Sequence, residues 1–140
     1  MRAWQAWLGF DIRAVLGGEN VDVQVAATVD FGEGRCLQFS GGFFGNADNR
    51  FHITGERGHI VIHDGFWQAT AATLQRDGQP AQRIEAPFRI NGFEYEIEEV
   101  MRCVRAGLIE SPTMPHAESL AVIELIDAMR ARIGVRYPFE

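Results

Sequence analysis

The stretch "VDVQVAATVDF", residues 21–31, alternates apolar and polar side chains almost without interruption. Alternation with a period of two is typical of a half-buried β-strand, because successive side chains of a strand point to opposite faces. The apolar face would carry Val21, Val23, Val25, Ala27, Val29 and Phe31. The pattern therefore predicts a strand that packs on one side against a core.

The residues after this strand predict a hairpin. A three-residue loop over 32–34 places Gly34 where such a loop needs a positive φ angle. The odd loop length also aligns Val29 with Leu37 and keeps the apolar faces of both strands together. An even loop would set Val29 against a polar residue, so the register favours the odd one.

Two more hairpins follow the same logic. A turn at Gly55–Gly58 pairs Ile53 with Ile60 on the apolar face of the second hairpin. The third hairpin is indicated by the dipeptide Asp77–Gly78 between two strand-like runs. Pro80 beside that turn cannot donate a ladder hydrogen bond, which predicts that this hairpin lies at a sheet edge.

The segment 91–134 changes to helical periodicity and is predicted to form two helices joined by a proline-rich linker with Pro112 and Pro115. Asn91 and Glu94 form a capping-box-like start for the first helix. The first buried stripe is predicted to contain Phe93, Ile97, Val100 and Val104. The second is predicted to contain Leu120, Ile123, Ile126, Met129 and Ile133.

The segment 1–18 is also predicted to be a helix, because its apolar residues recur about one helical turn apart. These residues are Trp4, Leu8, Ile12 and Val15. With β-hairpins over 19–88 and two helices over 91–134, the chain of 140 residues is predicted to be a single domain. The predicted fold class is α+β: an open-faced, predominantly antiparallel β-sheet with helices packed on one face.

Composition argues against several partners. The net charge of −6 at pH 7 argues against wide phosphate contact, so no nucleic-acid partner is expected. No apolar run approaches the roughly 20 residues that span a bilayer and no signal peptide is visible, so no membrane partner and a cytoplasmic location are expected. All 13 basic residues are arginine, which excludes lysine chemistry within this chain. Cys36 and Cys103 match no metal or redox spacing.

No motif predicts a catalytic, cofactor-binding or metal site. The nearest approach to a dinucleotide fingerprint, at 32–34, leads into a strand rather than a helix. His59 and His63 share a strand face but lie roughly 13 Å apart by strand rise, too far for one zinc ion. Trp67 and Phe88 lie in connecting segments where polar residues are usual. The residues alone favour core packing for both rings, with the wall of a small-molecule pocket as the alternative.

Residues 91–140 resemble the C-terminal domain of the Gfo/Idh/MocA oxidoreductases, especially the dimeric dihydrodiol dehydrogenase branch. The resemblance rests on "NGFEYEIEEVMRCVRAGLIESPTMPHAESL" and on the terminal "GVRYPFE". The hairpin sequences "VDVQVAATVDFGEGRCLQF" and "ITGERGHIVIHDGFW" are similar to the same domain, so the likeness covers residues 21–140. It implies an open-faced sheet whose exposed face makes a homodimer or homotetramer contact.

The resemblance also implies functional residues and partners. The oligomer face would carry His52, Thr54, His59 and Val61. Trp67 and Phe88 would line the side of the pocket that holds a small-molecule substrate, which is sugar-like or a cyclic polyol or diol. A full-length family enzyme uses NAD(P), bound by an N-terminal dinucleotide-binding domain that also carries the catalytic lysine. Neither that fingerprint nor a lysine occurs in this chain, so no catalytic, cofactor-binding or metal residue is assigned.

Two hypotheses follow. The main one is a C-terminal substrate-side and oligomerisation domain of an NAD(P)-dependent oxidoreductase, not catalytic by itself. The alternative is a stand-alone, non-catalytic ligand-binding or assembly module of the same fold. The surroundings of Trp4, Trp7 and Phe10 distinguish them, because a docking surface for a nucleotide domain would leave these residues exposed, whereas a stand-alone module would bury them.

Overall fold

The computed structural model describes residues 7–63 and 65–137 of the chain. Its elements are β1 Gly9–Leu16, β2 Asp22–Asp30, β3 Cys36–Gly42, β4 Phe51–Gly55, β5 Gly58–Ile62, a 3₁₀ helix Phe66–Gln68, β6 Ala71–Arg76, β7 Gln82–Glu85, α1 Phe93–Arg105 and α2 His116–Ile133. They divide into a first compact unit within Met1–Asn46 and Glu110–Glu140 and a second within Ala47–Ile109. Helices and antiparallel sheets together confirm the α+β class, while the single domain stays a prediction.

The first unit contains a three-stranded antiparallel sheet in the order β1-β2-β3. Val29 pairs with Leu37, so the predicted register of the β2–β3 hairpin is confirmed. The Phe31 N–H donates to the Arg35 carbonyl at 2.9 Å and closes the loop. Gly34 has φ 73°, the left-handed conformation that the loop was expected to need.

A small core joins this sheet to α2, which packs against β1. Its buried members are Ile12, Ala27, Val29 and Met129, and Val29 is completely buried. Half-buried side chains pack around them: Trp7, Phe10, Phe31, Leu37, Leu125 and Ile133. The apolar side of the β2 alternation therefore faces the core, as its pattern predicts.

The N-terminal prediction was wrong where it can be compared. Gly9–Leu16 is strand β1 rather than helix, and it pairs antiparallel with β2 so that Phe10 lies opposite Val29. The physical reason is a second periodicity in the same residues. Phe10 and Ile12 alternate with Asp11 and Arg13, which form an ion pair of 2.8 Å on the other face. Residues 1–6, including Trp4, lie outside the described residues.

The face that α2 turns towards the sheet was predicted only in part. Met129 and Ile133 pack on the core as predicted, together with Leu125. The other predicted members of the stripe, Leu120, Ile123 and Ile126, are between 50% and 62% exposed. This helix has apolar residues on two opposite sides, so spacing alone could not determine which side meets the sheet.

The second unit contains a four-stranded antiparallel sheet in the order β4-β5-β6-β7. Ile53 pairs with Ile60 and the third hairpin joins β6 to β7, so both predicted hairpins are confirmed. β7 is an edge strand, as Pro80 indicated. The hairpins are thus divided between two sheets.

Neither helix of the described residues is long and apolar enough to cross a bilayer.

Helix α1 begins and ends where its capping residues predict. The Asn91 Oδ1 accepts the N–H of Phe93 at 3.2 Å, and the Glu94 carboxylate accepts the backbone N–H groups of residues 90–92. At the other end, Gly107 has φ 67°. The Leu108 N–H donates to the Cys103 carbonyl at 3.0 Å, which is the bonding pattern of a glycine-terminated helix.

The burial prediction for α1 was wrong. Phe93, Ile97, Val100 and Val104 are between 58% and 71% exposed, and Cys103 is the buried residue of this helix. The spacing identified correctly which residues share a face. In the part of the chain that the structure describes, most of that face is open to solvent. We name Phe93, Ile97, Val100 and Val104 the α1 stripe.

The Glu94 cap predicts a pH-dependent helix start. Burial raises the pKa of Glu94, but the backbone N–H donors of Ile90, Asn91 and Gly92 outweigh this and lower the pKa from 4.5 to about 2. Because the folded pKa is lowered, this stabilisation is complete above pH 4.5 and is lost as the pH falls towards 2. We expect Glu94→Gln to reduce α1 helicity at neutral pH and to remove its acid dependence in that window.

Circular dichroism during an acid titration measures this effect. Glu96→Gln is the matched control, because the structure gives the Glu96 carboxylate no backbone donor among the described residues. If Glu94→Gln kept the acid titration of the parent chain, the cap would not be the cause of that dependence.

Candidate functional site

The polar side of the second sheet brings together the four residues predicted for the oligomer face. His52 lies opposite Val61 and Thr54 opposite His59, in adjacent rows of the β4–β5 hairpin. His52, Thr54 and His59 are exposed and Val61 is half-buried. Rows that share this side also contain Thr73, Gln75 and Arg83. We call this surface the polar face; whether it is an interface stays a prediction.

The opposite side of the same sheet is apolar. Its rows contain Phe51, Ile53, Ile60, Ile62, Ala72, Leu74 and Ile84. None of these side chains is buried in the described part of the chain, and Ile53 and Ile84 are exposed. The sheet therefore separates a hydrogen-bonding surface from a hydrophobic one, as strict alternation requires.

Trp67 lies on a surface ledge formed by the 3₁₀ helix Phe66–Gln68. Gly65, with φ 72°, turns the chain into this helix. The Trp67 ring meets the Phe66 ring edge-on at 5.4 Å, and Phe66 lies 6.0 Å from Phe51. Trp67 is 62% exposed, so a large part of its ring is open to a ligand. We call Phe51, Phe66 and Trp67 the aromatic ledge.

Phe88 belongs to a different aromatic group at the start of α1. Its ring lies 6.4 Å from the Tyr95 ring, and a side chain added at Gly92 would lie 3.2 Å from it. Arg89 lies 4.9 Å from the Tyr95 centroid and 2.7 Å from the Glu98 carboxylate. The hydrogen bond from Arg89 holds the pKa of Glu98 below its usual value. Phe88 is half-buried, which favours packing over a place in a pocket wall.

The sequence predicted no concavity at the turn end of the second sheet, but the structure has one. This groove has a volume of about 880 Å³, within the size range of small-molecule pockets. Its apolar floor contains Ile53, Ile60 and Leu74, and its rim carries Arg57 and Arg76. No motif marks it, because it is formed by the ends of several strands rather than by one segment. Of the predicted site residues, His59 alone lines it.

In residues 7–63 and 65–137, no three histidine, cysteine or acidic side chains lie close enough together to hold a metal ion. The described residues thus define an α+β module that presents a polar sheet face, an aromatic ledge and two uncovered helix faces.

Comparison with known proteins finds relatives that are named as dehydrogenases. The chain is 30% identical over 122 residues to the trans-1,2-dihydrobenzene-1,2-diol dehydrogenase of Danio rerio, a match that covers 84% of this chain and 36% of that protein. The protein of the same name from Mus musculus is 31% identical over 115 residues, or 73% of this chain and 34% of its own length. The chain spans about a third of the length of these curated relatives.

A solved structure shares the fold. The aldose-aldose oxidoreductase from Caulobacter crescentus, crystallised with glycerol, superimposes with a TM-score of 0.73 over 89% of this chain and 38% of that one, at 20% identity. No family model matches the chain. The relatives confirm the resemblance: the chain is a homologue of part of the dihydrodiol dehydrogenases, which are of the Gfo/Idh/MocA type.

Proposed function

We propose that this chain is the substrate-side and oligomerisation domain of an NAD(P)-dependent oxidoreductase for a sugar-like substrate or a cyclic polyol or diol. The main support is homology over 84% of the chain to an enzyme named for a cyclic diol. NAD(P) would bind to a dinucleotide-binding domain that is the partner of this one. The chain is not catalytic by itself in this proposal.

The chemistry of the chain fits a supporting role. It contains no lysine, so a lysine that moves a proton during hydride transfer would belong to the partner domain. What this chain offers is shape: the exposed Trp67 ring is a flat apolar surface against which the C–H face of a cyclic diol can stack. The hydroxyl groups of such a ligand would then point away from the ring towards polar partners.

Uncovered apolar helix faces support a larger assembly. The α1 stripe is mostly exposed, and so are Leu120, Ile123 and Ile126 on α2. Exposed apolar surface of this extent on a folded protein usually marks an interaction site. These faces, rather than the N-terminal residues named from the sequence, are where we place the contact with a further domain.

The polar face is the proposed contact between copies of the chain. It combines hydrogen-bonding side chains with the aliphatic Val61, a mixture that is common in wet, non-obligate interfaces. His52, Thr54 and His59 are exposed on it and free to meet a second copy. A homodimer or homotetramer would form in this way.

One observation favours the alternative, a stand-alone ligand-binding or assembly module. Trp7 and Phe10 are half-buried and pack against the core, with their ring centroids 5.6 Å apart. The sequence hypothesis expected these residues to be exposed at a docking surface. A stand-alone module would keep the aromatic ledge and bind the same class of ligand without a nucleotide domain.

Ligand binding at Trp67 is the test of the substrate-side role. We expect trans-1,2-cyclohexanediol or D-glucose to bind in the millimolar range and to shift amide resonances around the 3₁₀ helix in a nuclear magnetic resonance titration. Trp67→Ala should weaken binding about fivefold, since an aromatic contact contributes on the order of 1 kcal/mol. Phe44→Ala, at another strongly exposed aromatic residue, is the control and should leave binding unchanged.

Two results would count against the proposal. Equal losses in Trp67→Ala and Phe44→Ala would mean that the ledge is not the ligand site. Formation of NAD(P)H by the chain alone, with either ligand and added NAD(P)⁺, would contradict the non-catalytic role.

A further inference from the structure

β7 is the outer strand of the second sheet, and all of its residues, Gln82–Glu85, are exposed. An edge strand presents backbone N–H and C=O groups that can pair with another strand. Its side chains here alternate in character: Arg83 and Glu85 lie on the polar face and Ile84 on the apolar side. The Arg83 guanidinium also contacts the Glu85 carboxylate at 2.5 Å within the strand.

The direction of the backbone groups follows from one hydrogen bond. The Ala86 N–H donates to the Thr70 carbonyl at 2.7 Å, so Ala86 bonds towards β6. Successive residues of a strand direct their backbone groups to alternate sides, which makes Ile84 bond towards β6 as well. Arg83 and Glu85 therefore direct their N–H and C=O groups outward, away from the sheet.

The outward groups of β7 can pair with those of β7 from a second copy. Three antiparallel registers with a two-fold axis make this pairing possible. The first places Arg83 opposite Arg83, and the second places Glu85 opposite Glu85. Like charges directly opposite each other destabilise strand pairs. The third register places Arg83 opposite Glu85 twice, with Ile84 opposite Ile84 on the axis. Ile84 is 45% exposed in the single chain and would gain an apolar neighbour.

We propose that β7 pairs in this third register with β7 of a second copy of this chain. The two sheets of four strands then form one antiparallel sheet across both copies, with a two-fold axis at Ile84. This edge contact is distinct from the polar-face contact. Two different two-fold contacts in one chain generate a tetramer when their axes intersect at right angles.

Charged residues on an edge strand usually prevent such pairing. The distinguishing feature of β7 is that Arg83 and Glu85 have opposite signs at positions that oppose each other in the third register. The strand is short, so the buried area lies at the low end of protein interfaces, below roughly 1,200 Å². The edge contact alone is therefore weak. A dimer held by the polar face presents two β7 edges, so that after one edge pairs the second pairs at a high effective concentration.

Cysteine trapping tests the register directly. In the third register Ile84 faces Ile84 in a non-hydrogen-bonded pair, with Cα atoms about 4.5 Å apart, within the range of a disulfide. In a Cys36→Ser/Cys103→Ala background, we expect Ile84→Cys to form disulfide-linked dimers under mild oxidation. Gln82→Cys is the control, because two Gln82 residues would lie roughly 13 Å apart by strand rise. Equal rates of cross-linking would overturn the proposal.

Charge reversal provides the second test, by sedimentation equilibrium and by native mass spectrometry. Arg83→Glu and Glu85→Arg should each weaken self-association about tenfold, because each creates two like-charge pairs. Mixing the two single variants should give a heterodimer, and the double variant Arg83→Glu/Glu85→Arg should associate like the parent chain. Single variants that associate like the parent chain, or a mixture without heterodimers, would overturn the proposal.

The edge contact can be measured apart from the polar face. In the His59→Asp/Val61→Asp background, cross-linking through Ile84→Cys should slow, because the polar-face dimer no longer raises the effective concentration. It should still be faster than cross-linking through Gln82→Cys in the same background, since none of the altered side chains lies on β7. Equal rates for Ile84→Cys and Gln82→Cys in that background would overturn the edge proposal.

Discussion

Replacing Gly58 with alanine is expected to unfold the second sheet or to destabilise it severely. Gly58 has φ 141°, a conformation that residues with a side chain rarely adopt. An added Cβ would lie 2.1 Å from the Gln75 carbonyl oxygen and 2.9 Å from the Arg76 Cα. Both are backbone atoms of β6, so no change of rotamer can relieve the clash. Steric strain and the disfavoured φ angle together should cost roughly 2–5 kcal/mol.

Gly55 offers a matched control within the same hairpin, because it is the residue paired with Gly58. A Cβ at Gly55 would meet the Gly58 carbonyl oxygen at 3.7 Å, an ordinary contact. We expect Gly55→Ala to change the free energy of unfolding by less than about 1 kcal/mol. Urea denaturation and amide exchange of β5 and β6 measure both variants. Similar losses in the two would mean that any side chain in this turn is harmful and that the geometry of Gly58 is not special.

Hairpin registers were predictable because the information is local. The parity of the loop decides whether Val29 meets an apolar or a polar residue, and the observed partner is Leu37. The same argument gave Ile53 opposite Ile60. In each case a turn of glycine residues and a two-residue alternation agree, and agreement between local signals is what makes a register specific.

Segment 9–16 shows where local information was ambiguous. Its apolar residues fit a helical spacing through Leu8 and Ile12, and a strand spacing through Phe10 and Ile12. Pairing with β2 decides between them, because the strand buries Ile12 and supplies backbone partners along its whole length. That partner lies in another segment of the chain, so a periodicity argument on residues 1–18 alone could not include it.

Helix faces were predicted as sets of residues but not as buried surfaces. The α1 stripe and the exposed face of α2 are apolar as expected, yet both are open. Periodicity identifies which residues share a face, while burial depends on what packs there. Trp67 and Phe88 differ in the same way. Both lie in connecting segments, and only the structure separates an exposed ring from one packed on Tyr95.

Changing His59 and Val61 together to aspartate is expected to dissociate any assembly held by the polar face. The two positions are neighbours on one side of β5, so a two-fold contact would bring four new carboxylates together. Burying unpaired like charges in an interface costs several kcal/mol, enough to reduce association by a factor of about 1,000 or more. Light scattering at micromolar concentration should show the molar mass fall to that of one chain, 15.7 kDa.

The matched control is Gln79→Asp/Ala81→Asp, which adds the same charge at exposed positions of the β6–β7 turn and should leave the assembly intact. Circular dichroism would check that both double variants stay folded, because Val61 is half-buried in the single chain. A parent chain that is already 15.7 kDa, or an assembly that is indifferent to aspartate at His59 and Val61, would contradict the polar-face contact. The stand-alone ligand-binding module would then be the better account, since its ledge at Trp67 needs no second copy.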